Sequence, residues 1–175
     1  MSKIKKLLNY IFIDDVLKAD IEFLKGVSIF SHLPDRSLSK IALIIFKKNY
    51  MAGEQIYKQR HEADVLYIVR SGEVLVKSSK IEQNIGEGGF FGEISLIENR
   101  RHDSAASAVK DSELYLIYRV KFDDMAESNA KAGLRIMKNL SAILEARLRC
   151  AEHEMPQSVR AETEQKQESN DRKVR

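Results

Sequence analysis

The chain has no tryptophan, one cysteine, two prolines and eight glycines in 175 residues. A single cysteine forms no intramolecular disulfide, which excludes a stapled secreted scaffold and favours a reducing compartment. The scarcity of proline and glycine excludes collagen-like and low-complexity chains. No apolar stretch approaches the ~20 residues of a membrane helix. The densest, Ile41-Ala-Leu-Ile-Ile-Phe46, is short and flanked by Lys40 and Lys47. The N-terminus has lysines and then Leu7, Leu8 and Tyr10-Ile-Phe-Ile13, but Asn9 breaks the run and Asp14-Asp15 ends it, unlike a signal peptide. A strong charge is missing too. Lys+Arg 29 against Asp+Glu 26 gives +3, too small and too mixed to argue for nucleic acid. The expected location is the cytoplasm, with no membrane and no DNA partner.

Catalytic and metal-binding patterns are also lacking. His32, His61, His102 and His153 are scattered, no pair has metal spacing, and the two-histidine motif of metal-binding barrels is missing. No Ser/His/Asp or Cys/His set is recognisable. The expectation is therefore no enzyme, no metal and no cofactor. Cys150, among charged residues, reads as a helix residue without a role.

What remains is a soluble globular composition, 43% hydrophobic and 31% charged, long enough for one domain and an appendage. Ile4, Leu7, Leu8, Ile11, Phe12, Val16, Ile21 and Leu24 recur at helical spacing, so a helix is expected over residues 3–25, stopped by Gly26. Leu33-Pro34-Asp35 opens a second, expected over Asp35–Lys47. From Tyr50 the period becomes two. Strands are expected at 55–58, 65–69, 73–77, 80–85, 104–109 and 113–118, with turns at 52–53, 60–64, 71–72 and 78–79. Such spacing points to a sandwich or jelly roll. Residues 121–154 read as one long helix. Leu134, Met137, Ser141, Leu144, Leu148 and Ala151 form a heptad seam beside a second stripe of Ile136, Leu140 and Ile143. One stripe can lie on its own domain while the other meets a partner helix; a single broad core-facing stripe is the alternative. Residues 157–175 read as a disordered tail of nearly cancelling charge.

The glycines are unevenly spread. Gly86, Gly88, Gly89 and Gly92 place half of them within seven residues. Here a strand ends, glycine permits positive φ, and an apolar helical turn begins at about Gly92. Amide groups at such a start suit a phosphate, and Glu93 suits a ribose hydroxyl, so a nucleotide is favoured over bare phosphate. A tight β-turn without ligand is the alternative. There is no Gly-Lys-Ser/Thr, and the Rossmann spacing and its βαβ context are missing.

From about Leu24 to Arg149 the chain resembles the cyclic nucleotide-binding domain of catabolite activators and protein kinase regulatory subunits. The resemblance lies in Leu24-Lys-Gly-Val-Ser-Ile-Phe30 with Leu33-Pro34, Ala52-Gly-Glu-Gln-Ile56, Leu66-Tyr-Ile-Val-Arg-Ser-Gly-Glu-Val74, and Gly88-Gly-Phe-Phe-Gly-Glu-Ile-Ser-Leu96. The last is similar to the family's phosphate-binding cassette. The resemblance implies an α+β, mainly β fold: an antiparallel, jelly-roll-like β-roll over 26–120 between an N-terminal helical segment, 1–25, and a long C-terminal helix, 121–155. It implies cAMP or cGMP as ligand, a homodimer through that helix, and signalling to a downstream protein. It also implies a site of Phe91, Gly92, Glu93, Ile94 and Ser95 with Arg101, His102, Asp103, Ser104 and Ala105. Glu93 would take the ribose 2′-hydroxyl, and the Gly92–Ser95 backbone the phosphate.

Two departures stand out. The family's arginine for the cyclic phosphate falls at Asp103 if Ser104-Ala105 is the anchor, or at His102 if Asp111–Leu114 is. Arg101 or Arg100 could supply the charge after a shift of register that needs a bulge. Gly is usual where Arg60 and Ala63 stand; Arg60 reads as an anion contact or a solvated loop residue. A degenerate, ligand-free interaction or dimerisation module is therefore a second expectation. A transcription regulator is disfavoured, since residues 157–175 are too short and polar for a helix-turn-helix domain.

Overall fold

The structure, a computed structural model, describes residues 15–79 and 82–154, with side chains to Ala151. A helix, α1, runs over 15–25 and stops at Gly26, as the glycine predicts. The rest of the helix expected from residue 3, and the tail after Pro156, lie outside the described residues. A 3-10 turn (Ser28–Phe30) and α2 (Asp35–Ala42) follow. The strands are β1 (Phe46–Tyr50), β2 (Gln55–Tyr57), β3 (Glu62–Ala63), β4 (Val65–Ser71), β5 (Glu73–Lys77), β6 (Glu82–Gly86), β7 (Phe90–Phe91), β8 (Arg100–Arg101), β9 (Ala105–Ala108) and β10 (Ser112–Tyr118). A second 3-10 turn, Glu93–Leu96, joins β7 to β8, and β10 leads to α3 (Arg119–Ser128) and α4 (Ala130–Glu154). The described residues divide into two compact units inside α4, after Asn139.

All strand pairing is antiparallel. One sheet has the order β1-β10-β4-β7, a second β2-β9-β5-β6, and β3 pairs with β8. Tyr57, Val65, Tyr67, Val69, Val74, Ile85, Phe91, Leu114 and Leu116 meet between the two larger sheets. This is the β-roll that the alternating runs and the resemblance imply. The intervening Leu66, Ile68, Tyr115 and Ile117 are buried as well. Both faces of β4 and β10 are thus covered, which is why those segments read as continuous apolar runs. Phe23 of α1 meets Tyr115 edge-on at 5.5 Å, and the Tyr115 hydroxyl donates to Asp20 at 2.5 Å. Asp20, 6% exposed, also takes the Lys47 ammonium at 2.8 Å.

Three expectations need correction. The helix from Asp35 ends at Ala42, not Lys47. Phe46 and Lys47 instead open β1, where Phe46 pairs with Leu116 and the backbone is satisfied by β10. Residues 60–64 are not a bare turn, because Glu62–Ala63 forms β3 against β8. The helix expected over 121–154 is two helices, broken at Asn129 with φ −146° and ψ 64°. The Asn129 side-chain Nδ2 donates to Ser37 Oγ at 3.2 Å. Beyond the break, Gly133 lies so close to α3 that a Cβ there would meet Ala126 Cβ at 2.8 Å. Asn139 donates to the carbonyls of Ile29 and Ser31, at 3.0 and 2.9 Å. On α4, Ile136 is buried, whereas Leu134 and Leu148 are 59% and 60% exposed.

Candidate functional site

The four clustered glycines serve two purposes. Gly86, Gly88 and Gly89 build the β6–β7 turn: Gly89 N–H donates to Gly86 O, Gly88 N–H to Val69 O, and Val69 N–H to Gly89 O, all near 3.0 Å. These three glycines shape the backbone of the turn between the two strands. Gly92 is different. It takes φ 72° and ψ 14° and starts the 3-10 turn Glu93–Leu96. A Cβ at Gly92 would stand 2.7 Å from the Val65 carbonyl, so both conformation and space demand glycine.

That turn carries two buried polar side chains. Glu93 is 8% and Ser95 1% exposed. Ser95 N–H closes the first bond of the turn, to Gly92 O at 3.0 Å, so the N–H groups of Glu93 and Ile94 precede the intra-turn ladder. The Ser95 hydroxyl has no hydrogen-bond partner among the described residues. Native proteins seldom leave such a group unpaired, because its desolvation costs about 1–3 kcal/mol. Ile94 is half-buried, and Phe91 stacks on Tyr67 at 5.0 Å within the core.

The facing wall comes from β8 and the residues after it. Arg101 is exposed and opposite Glu62. Arg100 is exposed and paired with Glu98 and Asp103. Asp103 points to solvent, and its carbonyl accepts from Gln59 Nε2 at 2.9 Å. His102 alone of this group is buried, at 8% exposure. Its imidazole stacks on the Tyr57 ring, with centroids 3.7 Å apart and planes within 8°.

A bulge sets that orientation. Arg60 N–H donates to His102 O at 2.8 Å, and His102 N–H donates to His61 O at 2.9 Å. Two residues, Arg60 and His61, therefore oppose one, and Arg60 has φ 69°. This is the G1 type of bulge, whose first residue is ordinarily a left-handed glycine. A bulge is thus present, but in the strand facing the arginines, and it turns His102 inward.

Tyr57 joins the two walls. One face carries His102, its ring centroid is 6.0 Å from that of Phe91, and its hydroxyl is 3.4 Å from Ser104 Oγ. Burial pushes its phenol above the ordinary range; the Ser104 contact opposes this and the Glu93 charge adds to it. Burial likewise holds His102 below the usual histidine range. Asp64 and Asp103 pull the other way, and His61 adds to the lowering. Ala105 opens β9 opposite Lys77. Sequence reasoning did not single out Tyr57. Its inward face follows from the period of β2, but its pairing with His102 depends on the bulge. Among the described residues no group of three or more His, Cys, Asp or Glu could hold a metal ion, and no helix is long and apolar enough to cross a membrane.

Comparison with known proteins bears on this geometry. The model of the cyclic nucleotide-binding domain family matches residues 47–129. A crystal structure of a candidate cyclic nucleotide-binding protein from Geobacter metallireducens GS-15 is 32% identical, with TM-score 0.64, over 73% of this chain and 96% of that one. The Thermus thermophilus catabolite activator protein is 27% identical, with TM-score 0.62, over 73% of this chain and 61% of that one. A cGMP-dependent 3′,5′-cGMP phosphodiesterase A of Dictyostelium discoideum is 27% identical over 118 residues. Those residues are 67% of this chain and 13% of the phosphodiesterase.

Proposed function

The chain belongs to the cyclic nucleotide-binding domain family, and from that premise we propose that it is a non-enzymatic regulatory module that binds a cyclic mononucleotide, cAMP or cGMP. The observation that carries the reading is the Gly92–Leu96 turn, which buries Glu93 and leaves the Ser95 hydroxyl without a partner among the described residues. In this reading Glu93 accepts from the ribose 2′-hydroxyl. The amides at the turn's start and Ser95 Oγ donate to the phosphate, and His102, Ser104 and Ala105 form the facing wall. Arg101 and Asp103 stand at its rim. Ligand binding is reported through α4, which also joins two copies, to a downstream protein in the cytoplasm rather than to DNA or a membrane. Calorimetric titration with cAMP and cGMP tests the reading. Saturable heat with one site per chain is expected; no heat and no thermal shift at millimolar ligand overturns it.

One observation favours a second reading. Of the two candidates for the arginine's place, the buried one is His102, whose basicity burial lowers, and Asp103 pairs with Arg100 outside. A phosphodiester then meets no fixed cation, and the fold would act as a ligand-free interaction or dimerisation module. An interaction partner whose affinity is unchanged by either nucleotide supports this reading.

A further inference from the structure

We propose that His102 is the counter-ion of the cyclic phosphate in this chain, taking a proton from solvent as the ligand enters, so that nucleotide binding is coupled to pH. The inference deepens the proposed function and rests on it. Four observations carry it. His102 is the one basic side chain of the segment 100–104 that is buried on the side of Tyr57, while both arginines are exposed. Its orientation is built rather than incidental, since the Arg60–His61 bulge grips its N–H and its C=O. Stacking on Tyr57 uses the face of the imidazole and leaves the nitrogens at its edge. Tyr57 also lies 6.0 Å from Phe91, which leads through Gly92 into the Glu93–Leu96 turn, and that turn holds a buried hydroxyl at Ser95 with no partner among the described residues.

The charges around His102 permit the step. Asp64, after β3, and Asp103, its neighbour, favour the imidazolium, while His61 and burial oppose it. Glu93 acts on Tyr57 from the cassette side. In the free protein the balance lowers the ring's affinity for a proton below that of an ordinary histidine. A phosphodiester carries one negative charge throughout this range, and the two arginines of β8 are exposed rather than buried beside Tyr57. Protonating the ring supplies one positive charge and one charge-assisted bond, so the site as a whole gains a proton with its anion.

The sign follows. The histidine is depressed in the free protein and raised in the complex, so affinity strengthens as pH falls between those two values. One proton gives up to about a tenfold change per pH unit. Below the free protein's value the affinity levels off.

Titration of the full chain with cAMP and with cGMP from about pH 8.5 to about pH 5.5 tests this, together with titration near pH 7.5 in two buffers of different ionisation enthalpy. The proposal expects a slope approaching tenfold per unit and an uptake of about one proton per nucleotide. His102→Arg can stack on Tyr57 as the imidazole does, so it should bind tightly with no slope. His102→Phe should keep its thermal melt and bind weakly at every pH. Tight binding by the native chain without slope or proton uptake overturns the His102 assignment and leaves the nucleotide reading intact. Binding by His102→Arg but by no form of the native chain also overturns it, and supports the ligand-free reading. No binding by either protein at any pH overturns the nucleotide reading itself, and the assignment falls with it.

Discussion

Ser95 and Arg60 each spend stability at the candidate site. Ser95 Oγ is buried and unpartnered, so removing it relieves a desolvation cost without breaking a bond. Ser95→Ala should raise the stability of the unliganded protein by about 1 kcal/mol, read from urea unfolding. In calorimetry the same variant should lose nucleotide affinity. Stability and affinity moving in opposite directions separates a binding hydroxyl from a structural one. Arg60 holds a left-handed conformation that costs a non-glycine residue about 1–2 kcal/mol. Glycine there loses about 0.5–1 kcal/mol through its freer unfolded chain. Arg60→Gly should therefore stabilise the protein by up to about 1 kcal/mol in the same assay, with the bulge retained. At this scale the sequence exposed Gly92, Glu93 and Ser95 clearly, because a turn and its polar side chains are local. It left His102 and Asp103 as alternatives. Which of the two is buried depends on residues some forty positions earlier, where Arg60 and His61 together oppose His102.

The elements were legible where their pattern was long and regular. β5 was expected over 73–77 and is found as Glu73–Lys77; β10 differs by one residue. The two-residue strands β3, β7 and β8 had no period to read, since two residues cannot alternate. Phe46–Tyr50 was hidden by an apolar run that serves a helix face equally well, and its pairing with β10 decides the matter. The break at Asn129 was concealed in the same way: both α3 and α4 are helical, and only the close approach of Gly133 to Ala126 requires a corner there. This makes Gly133 a sensitive position. Gly133→Val should cost about 1–3 kcal/mol through overpacking, despite the gain in helix propensity, with a lower thermal midpoint and little change in far-ultraviolet dichroism.

At the scale of the whole molecule, the antiparallel roll followed from short alternating strands, and the family from ordered motifs. The two stripes on α4 have separate fates. Ile136 is buried, while Leu134 and Leu148, at the seam's regular spacing, are mostly exposed. An exposed apolar seam of this kind is what a second helix covers in a coiled coil. Replacing both Leu134 and Leu148 by Glu should weaken self-association at least tenfold in sedimentation equilibrium, since about 1.4 kcal/mol is enough for that. The thermal melt should be nearly unchanged, because neither side chain is in the core. A chain that sediments as a monomer before the substitution argues against the homodimer.

The stack of His102 on Tyr57 has an optical consequence. With no tryptophan in the chain, no indole masks the emission of its six tyrosines. Among the described residues, Tyr57 carries a stacked imidazole, His102, at 3.7 Å. An imidazolium quenches phenol emission more strongly than a neutral ring. If nucleotide and proton reach His102 as proposed, Tyr57 emission should fall as they arrive, so ultraviolet fluorescence followed through a cAMP titration checks the proposal without any label.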